Sequence, residues 1–180
     1  MRLTMGLWSK MLLFLLFAIQ SLYAQDKPAL EYQVKAAFLY NFTRFINWPP
    51  TAFTAPDAPF VIGIVGNDPF GTYIEEIVAG EKVGDRKIIV QHYQDVKEIG
   101  NCQIIFIHLS ESSKVKEILT ALESHNILAV SDIDNFAKLG GQVRFFKESN
   151  KVKIQINMEA AKRSQLEISS KLLRIAKILK

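Results

Sequence analysis

The sequence predicts an α/β domain: a sandwich with a mostly parallel sheet flanked by helices, plus a C-terminal β-hairpin and helix. Three observations carry that expectation. Short apolar runs rich in β-branched residues, at 60–65, 103–109 and 127–130, have no polar face and read as strands covered on both sides. Segments with helical spacing alternate with them, the pattern of strand–helix–strand units. After Gly140-Gly141 the period changes to strict alternation, with Val152, Ile154 and Ile156 set against Lys151, Lys153 and Gln155, which is a hairpin with one wet face.

The elements follow in order. Arg2 and Lys10 give a positive start, residues 11–19 are nearly all apolar, and Ala24 offers a small residue before a cleavage point. That is the form of a secretory signal peptide over residues 1–24, and its apolar run is about half the ~20 residues of a membrane-spanning helix. Residues 25–180 are then one exported domain, long enough to bury roughly 70% of the surface of its unfolded chain. Leu30, Val34, Phe38, Phe42, Phe45 and Ile46 recur at helical spacing, so residues 30–47 are expected as a helix covered on most sides. Pro49 ends it, because the residue before a proline avoids the helical region.

A strand is expected at 60–65, closed by Gly66-Asn67-Asp68-Pro69. Asp68 as cap and Pro69 as first residue would open a helix through Ile77 or Val78. Residues 87–93 and 103–109 are the next strands. Ser110 would cap a helix carrying Val115, Ile118, Leu119 and Leu122. After the strand at 127–130, Ser131 or Asp132 would cap a short helix through Leu139. The hairpin pairs 143–146 with 152–156 around Ser149-Asn150. From Met158 a helix is expected, with Ile168, Leu172, Ile175, Ala176 and Leu179 as its stripe.

Charge narrows the function classes. Without Arg2 and Lys10 the domain holds twenty basic against eighteen acidic residues, a net charge of +2. Nucleic-acid binding, which needs a clustered basic stripe, is not expected. Cys102, the single cysteine, precedes an apolar run and reads as a buried, inert thiol.

Catalytic motifs are scarce, and no catalytic residue, cofactor or metal site is assigned. His92, His108 and His125 are widely spaced and have no Cys or carboxylate at chelating spacing in the sequence. His108, Ser110 and Asp132 could form a Ser-His-Asp set, but no nucleophile-elbow sequence is present and capping is the simpler role. The 63–71 segment satisfies neither nucleotide-loop pattern. A positional argument survives, because ligands of open α/β sheets sit outside the strand carboxyl ends. Gly66, Asn67, Asp68, Ser110, Ser131 and Asp132 belong to that edge and are the candidate ligand-binding residues. Trp48, Pro49 and Phe53 lie beyond the first helix and are the candidate partner contacts, since Trp anchors are enriched in interfaces.

Val34-Lys35-Ala36-Ala37-Phe38-Leu39-Tyr40-Asn41-Phe42, with Phe45 and Trp48-Pro49, resembles the opening of the YfiR family of exported bacterial proteins. The strand and loop at 62–71, Gly140-Gly141 followed by Val143-Arg144-Phe145, Ile156-Asn157 and Ser169-Ser170-Lys171-Leu172-Leu173 resemble its later blocks, in order, over nearly all of residues 31–178. The resemblance implies a periplasmic, non-enzymatic repressor that binds the periplasmic part of a membrane-embedded diguanylate cyclase or similar sensor. Release of that contact raises cyclic di-GMP and favours biofilm. It also implies self-association, a homodimer, and a small aromatic ligand. One departure stands out: the best-understood member carries disulfides tied to its redox response, whereas one cysteine excludes an internal disulfide here. A small-ligand-binding module at the strand carboxyl ends is the alternative function.

Overall fold

The computed structural model describes residues 27–179 apart from Ser124. The expected signal peptide, residues 1–24, lies outside the described residues.

Helix α1 (Lys27–Phe45) runs directly into β1 (Ile46–Asn47). Ala36, Leu39 and Phe42 are fully buried along it. The expected all-round burial holds only for its C-terminal half, because Leu30 and Val34 remain 61% and 38% exposed. After a 3₁₀ turn at Pro50–Ala52 come β2 (Phe60–Gly66), α2 (Tyr73–Val78), β3 (Lys82–Val83) and β4 (Arg86–Tyr93). A second 3₁₀ turn, Val96–Glu98, leads to β5 (Ile104–His108), α3 (Ser112–Leu122) and β6 (Leu128–Ser131). The chain closes with β7 (Val143–Glu148), β8 (Lys151–Asn157), α4 (Met158–Arg163), β9 (Glu167–Ile168), α5 (Ser170–Leu173) and β10 (Lys177–Leu179).

Among the described residues, eight strands form one sheet in the order β10-β8-β7-β6-β5-β2-β4-β3. Every neighbouring pair is parallel except β7 with β8 and β3 with β4. A separate two-stranded ribbon joins β1 to β9, with Ile46 opposite Ile168. Successive strand residues point to opposite faces, so two cores result. On one face Ile62, Ile64, Phe106, Val130 and Phe145 pack under α1 and α2. On the other, Val61, Ile105, Ile107 and Ala129 pack under Val115, Ile118, Leu119 and Leu122 of α3. The mostly parallel sheet flanked by helices is therefore present as expected.

Four local expectations are corrected. Asp68 does not cap a helix: its Oδ1 accepts from the Phe70 N–H at 2.7 Å, a tight Asx turn that drives Phe70 into the core, and α2 starts only at Tyr73. Glu111, not Ser110, precedes α3, and it makes no side-chain cap bond. No helix follows Ser131, since residues 133–140 form turns held by bonds such as Lys138 N–H to Asn135 C=O. The expected C-terminal helix is broken: Gln165 takes φ +55, Ser169 caps the four-residue α5, and the chain re-enters the sheet as β10. The β3–β4 ribbon around Gly84 went unread in the sequence. The β7–β8 hairpin turns through Ser149 and Asn150, both at positive φ, as its two-residue connection requires.

Candidate functional site

The first turns of α1 cross the carboxyl ends of β5 and β6, and the polar residues of the fold gather there. Lys35 carries the charge inward: it is only 3% exposed. Its Nζ lies 2.6 Å from Glu31 Oε1 and 2.6 Å from Asp132 Oδ2. The Tyr32 hydroxyl donates to the same Asp132 oxygen at 3.0 Å, and His108 Nδ1 lies 3.2 Å from the other. Lys147 of β7 closes onto Glu31. Two carboxylates and two ammonium groups thus alternate in space, with each buried charge compensated.

Burial alone would raise the Asp132 carboxyl, but the Lys35 ammonium, the Tyr32 hydroxyl and His108 outweigh it and hold it below the ordinary aspartate range. Glu31 follows the same balance, with burial opposed by Lys147 and Lys35, and titrates below its usual value. Burial and the neighbouring Asp132 push the Tyr32 phenol up, so it stays a hydrogen-bond donor.

Beside this cluster a cavity of about 210 Å³ is lined by Tyr32, Lys35, Asp132, Arg144 and Phe146, among others. The Arg144 guanidinium donates to the Ile133 carbonyl at 3.1 Å and pairs with Asp134. Its carbon sits 5.9 Å from the Phe146 ring. The chamber carries three cationic side chains (Lys35, Arg144 and Lys147), each paired with a carboxylate, and aromatic walls, which suits an amino-acid-like group with both charges. Among the described residues that line it there is no serine, threonine or cysteine. Ser110 is exposed and, among the described residues, makes no hydrogen bond to His108, so the His108–Asp132 pair has no third member.

The residues picked from sequence divide. Asp132 enters the cluster. Gly66 and Asn67 border it, since Asn67 N–H donates to the His108 carbonyl at 3.3 Å. Ser131 is fully buried, with Oγ donating to the Ile107 carbonyl and accepting from Ile133 N–H, so its hydroxyl is spent inside the fold and is withdrawn as a ligand contact. Asp68 stands apart with His92, 2.8 Å away. Trp48 is half-buried, donates Nε1–H to the Gln103 carbonyl at 3.0 Å and packs edge-on against Phe60; Phe53 is half-buried beneath Arg86. Pro49 is half-buried beside them. Cys102 is buried, and burial pushes its thiol up to about 12. Glu31, Tyr32 and Lys35 were missed as site residues. The available signal was their placement: charged residues interrupting the apolar face of a helix, three and four positions apart.

Comparison with known proteins gives the family. The profile of DUF4154, described as YfiR/HmsC-like, matches residues 32–177. The chain belongs to the YfiR/HmsC-like family. Family membership supports a regulatory rather than catalytic role on the periplasmic side of cyclic di-GMP signalling. No curated protein matches the chain. Among solved structures, a conserved domain protein from Vibrio cholerae O1 biovar El Tor is similar at 13% identity and TM-score 0.45, covering 67% of this chain and 54% of that one. The ABC domain in complex with L-Trp from Streptococcus pneumoniae is similar at 12% identity and TM-score 0.49, covering 67% and 55%. The chain thus spans about half the length of each. Among the described residues of this YfiR/HmsC-like protein, no helix is long and apolar enough to cross a membrane.

Proposed function

We propose that this chain is a non-enzymatic periplasmic regulator that binds the outer part of a membrane signalling protein of the diguanylate cyclase type and holds it off. The observation that carries the reading is the family match over residues 32–177, which runs from the first turns of α1 to the start of β10. Repression then needs only differential binding. Turning a partner from 99% active to 99% inactive takes a preference of about 10⁴-fold, or about 5.5 kcal/mol.

The first turns of α1 suit such a contact better than Trp48 and Phe53, which are half-buried and engaged by Gln103, Phe60 and Arg86. Leu30 and Val34 flank a groove of about 370 Å³ with Lys147 and Val152. Apolar anchors rimmed by Lys151, with Lys147 held by Glu31, fit an interface with an acidic, apolar counterpart. The test is capture from solubilised membranes together with measurement of cyclic di-GMP in cells. A membrane cyclase should co-purify, and the nucleotide should rise when the chain is deleted. Leu30→Asp should weaken capture at least tenfold with the unfolding midpoint unchanged. Capture of no signalling protein, with cyclic di-GMP unaltered by the deletion, overturns the reading.

A second reading is favoured by the 210 Å³ cavity: the regulator takes a small amino-acid-like or aromatic ligand between the paired charges and the aromatic walls. A ligand at 100 times its Kd adds about 2.7 kcal/mol of stability, which a thermal-shift series of amino acids and aromatic carboxylates reads directly. Absence of any shift across the series counts against it.

A further inference from the structure

His92, far in sequence from any chelating partner, is brought by the parallel pairing of β2 and β4 to the loop that leaves β2. His92 stands opposite Ile64 in that pairing, on the sheet face that α2 covers. There its Nε2 lies 2.8 Å from Asp68 Oδ2 and 3.9 Å from Glu75 Oε1 of α2. One ligand atom from each of the three side chains lies within 4.8 Å of the other two.

Two further observations separate this cluster from an ordinary acidic surface. Glu75 Oε2 is shielded from solvent and has no hydrogen-bond partner, although the side chain as a whole is 44% exposed and Oε1 is the oxygen nearest His92. A carboxylate oxygen in that condition lacks the compensation that buried polar atoms normally find. Moreover, among the described residues neither Asp68 nor Glu75 forms an ion pair with a lysine or arginine, although Glu31 and Asp132 are both so paired. Positive charge is missing where two carboxylates converge on an imidazole. The Asp68 carboxylate is also pre-aimed, because its Oδ1 is held by the Phe70 N–H at 2.7 Å and only Oδ2 faces His92.

From this geometry we propose that Asp68, Glu75 and His92 bind a divalent transition-metal ion, with zinc the best-fitting. One imidazole nitrogen and two carboxylate oxygens match the borderline character of Zn²⁺, whereas Mg²⁺ and Ca²⁺ favour sites built from oxygen alone. The ion would draw the two oxygens and the nitrogen about one centre and displace the direct His92–Asp68 contact. Three protein ligands leave a fourth position open on the side where the His92 side chain is 47% exposed. That position takes water or an outside donor. The site lies at β2 and β4 and does not depend on the partner-binding reading.

Metal-stripped, untagged protein is titrated with Zn²⁺ against a chromogenic chelator, and Co²⁺ is added separately to read coordination from its visible absorption. One Zn²⁺ per chain is expected, with His92→Gln and Glu75→Gln each weakening binding at least tenfold and abolishing the Co²⁺ absorption. Both side chains are partly exposed and both variants should keep the metal-free unfolding midpoint, as should Asp68→Asn, whose amide oxygen can still accept from the Phe70 N–H. His125→Gln should bind as the parent does, and Mg²⁺ and Ca²⁺ at the same concentrations should not compete. The absence of stoichiometric Zn²⁺ binding, or binding that survives both substitutions, overturns the assignment.

Discussion

Replacing Lys35 by Met would remove the one ammonium that stands between Glu31 and Asp132 while keeping the bulk of its buried stem. Asp132 would keep only Tyr32 and His108 as partners, a buried carboxylate without its main counter-charge. Breaking a buried pair from one side costs about 3 kcal/mol or more, so Lys35→Met should lower stability in urea unfolding by about 3 kcal/mol. Acid sensitivity follows from the same residues. Asp132 and Glu31 titrate below their ordinary values of 3.8 and 4.5 when folded. The unfolded chain therefore binds their protons first as pH falls. Their contribution is complete above those ordinary values and is lost as pH drops through the depressed ones. The urea midpoint should fall as pH falls below 4.5, and Asp132→Asn should flatten that dependence. An unchanged slope in the variant would assign the acid response to other carboxylates.

At the scale of elements, the junctions leaving strands carry the constraints. Gly66 ends β2 at φ +92, and a Cβ there would collide with the His108 carbonyl oxygen, the acceptor of the Asn67 N–H. Gly66→Ala should cost about 2 kcal/mol through backbone strain and separation of β2 from the end of β5. A destabilisation of only a few tenths would mean the loop relaxes without cost. Strands β2, β5 and β6 were legible because a strand covered on both faces is an unbroken apolar run that little else imitates. Helix starts were less legible. Asp68, Ser110 and Ser131 all have capping chemistry, yet the first makes a turn, the second is exposed ahead of the helix start, and the third bonds a neighbouring strand's carbonyl. A short polar side chain near a helix start has several local acceptors and donors to choose among, and the tertiary neighbours decide.

For the whole molecule, the revealing element is the last. Ile168, Leu172 and Ala176 keep helical spacing, yet the chain uses them as ribbon, short helix and the approach to β10. Helix propensity is a weak bias, whereas β8 without β10 would leave an edge of open N–H and C=O groups. β10 covers that edge through parallel pairing of Ile178 with Ile156. Removing residues 177–180 should therefore raise self-association, read by light scattering at concentrations where the full chain stays monodisperse. An unaltered scattering profile would show that β8 needs no cover.

By itself the sequence determined the layered α/β class, the two-faced burial of the central strands, the hairpin at Ser149-Asn150 and the family, because each is written in local pattern or in ordered blocks. It also pointed to the carboxyl ends of the strands and to Asp132 within them. Only the tertiary structure decided which side chains meet there. Tyr32 and Lys35 lie about a hundred positions from Asp132, and His92 lies 24 from Asp68. Such meetings follow from strand order and from the path of α1 across the sheet, and periodicity along the chain carries no record of either.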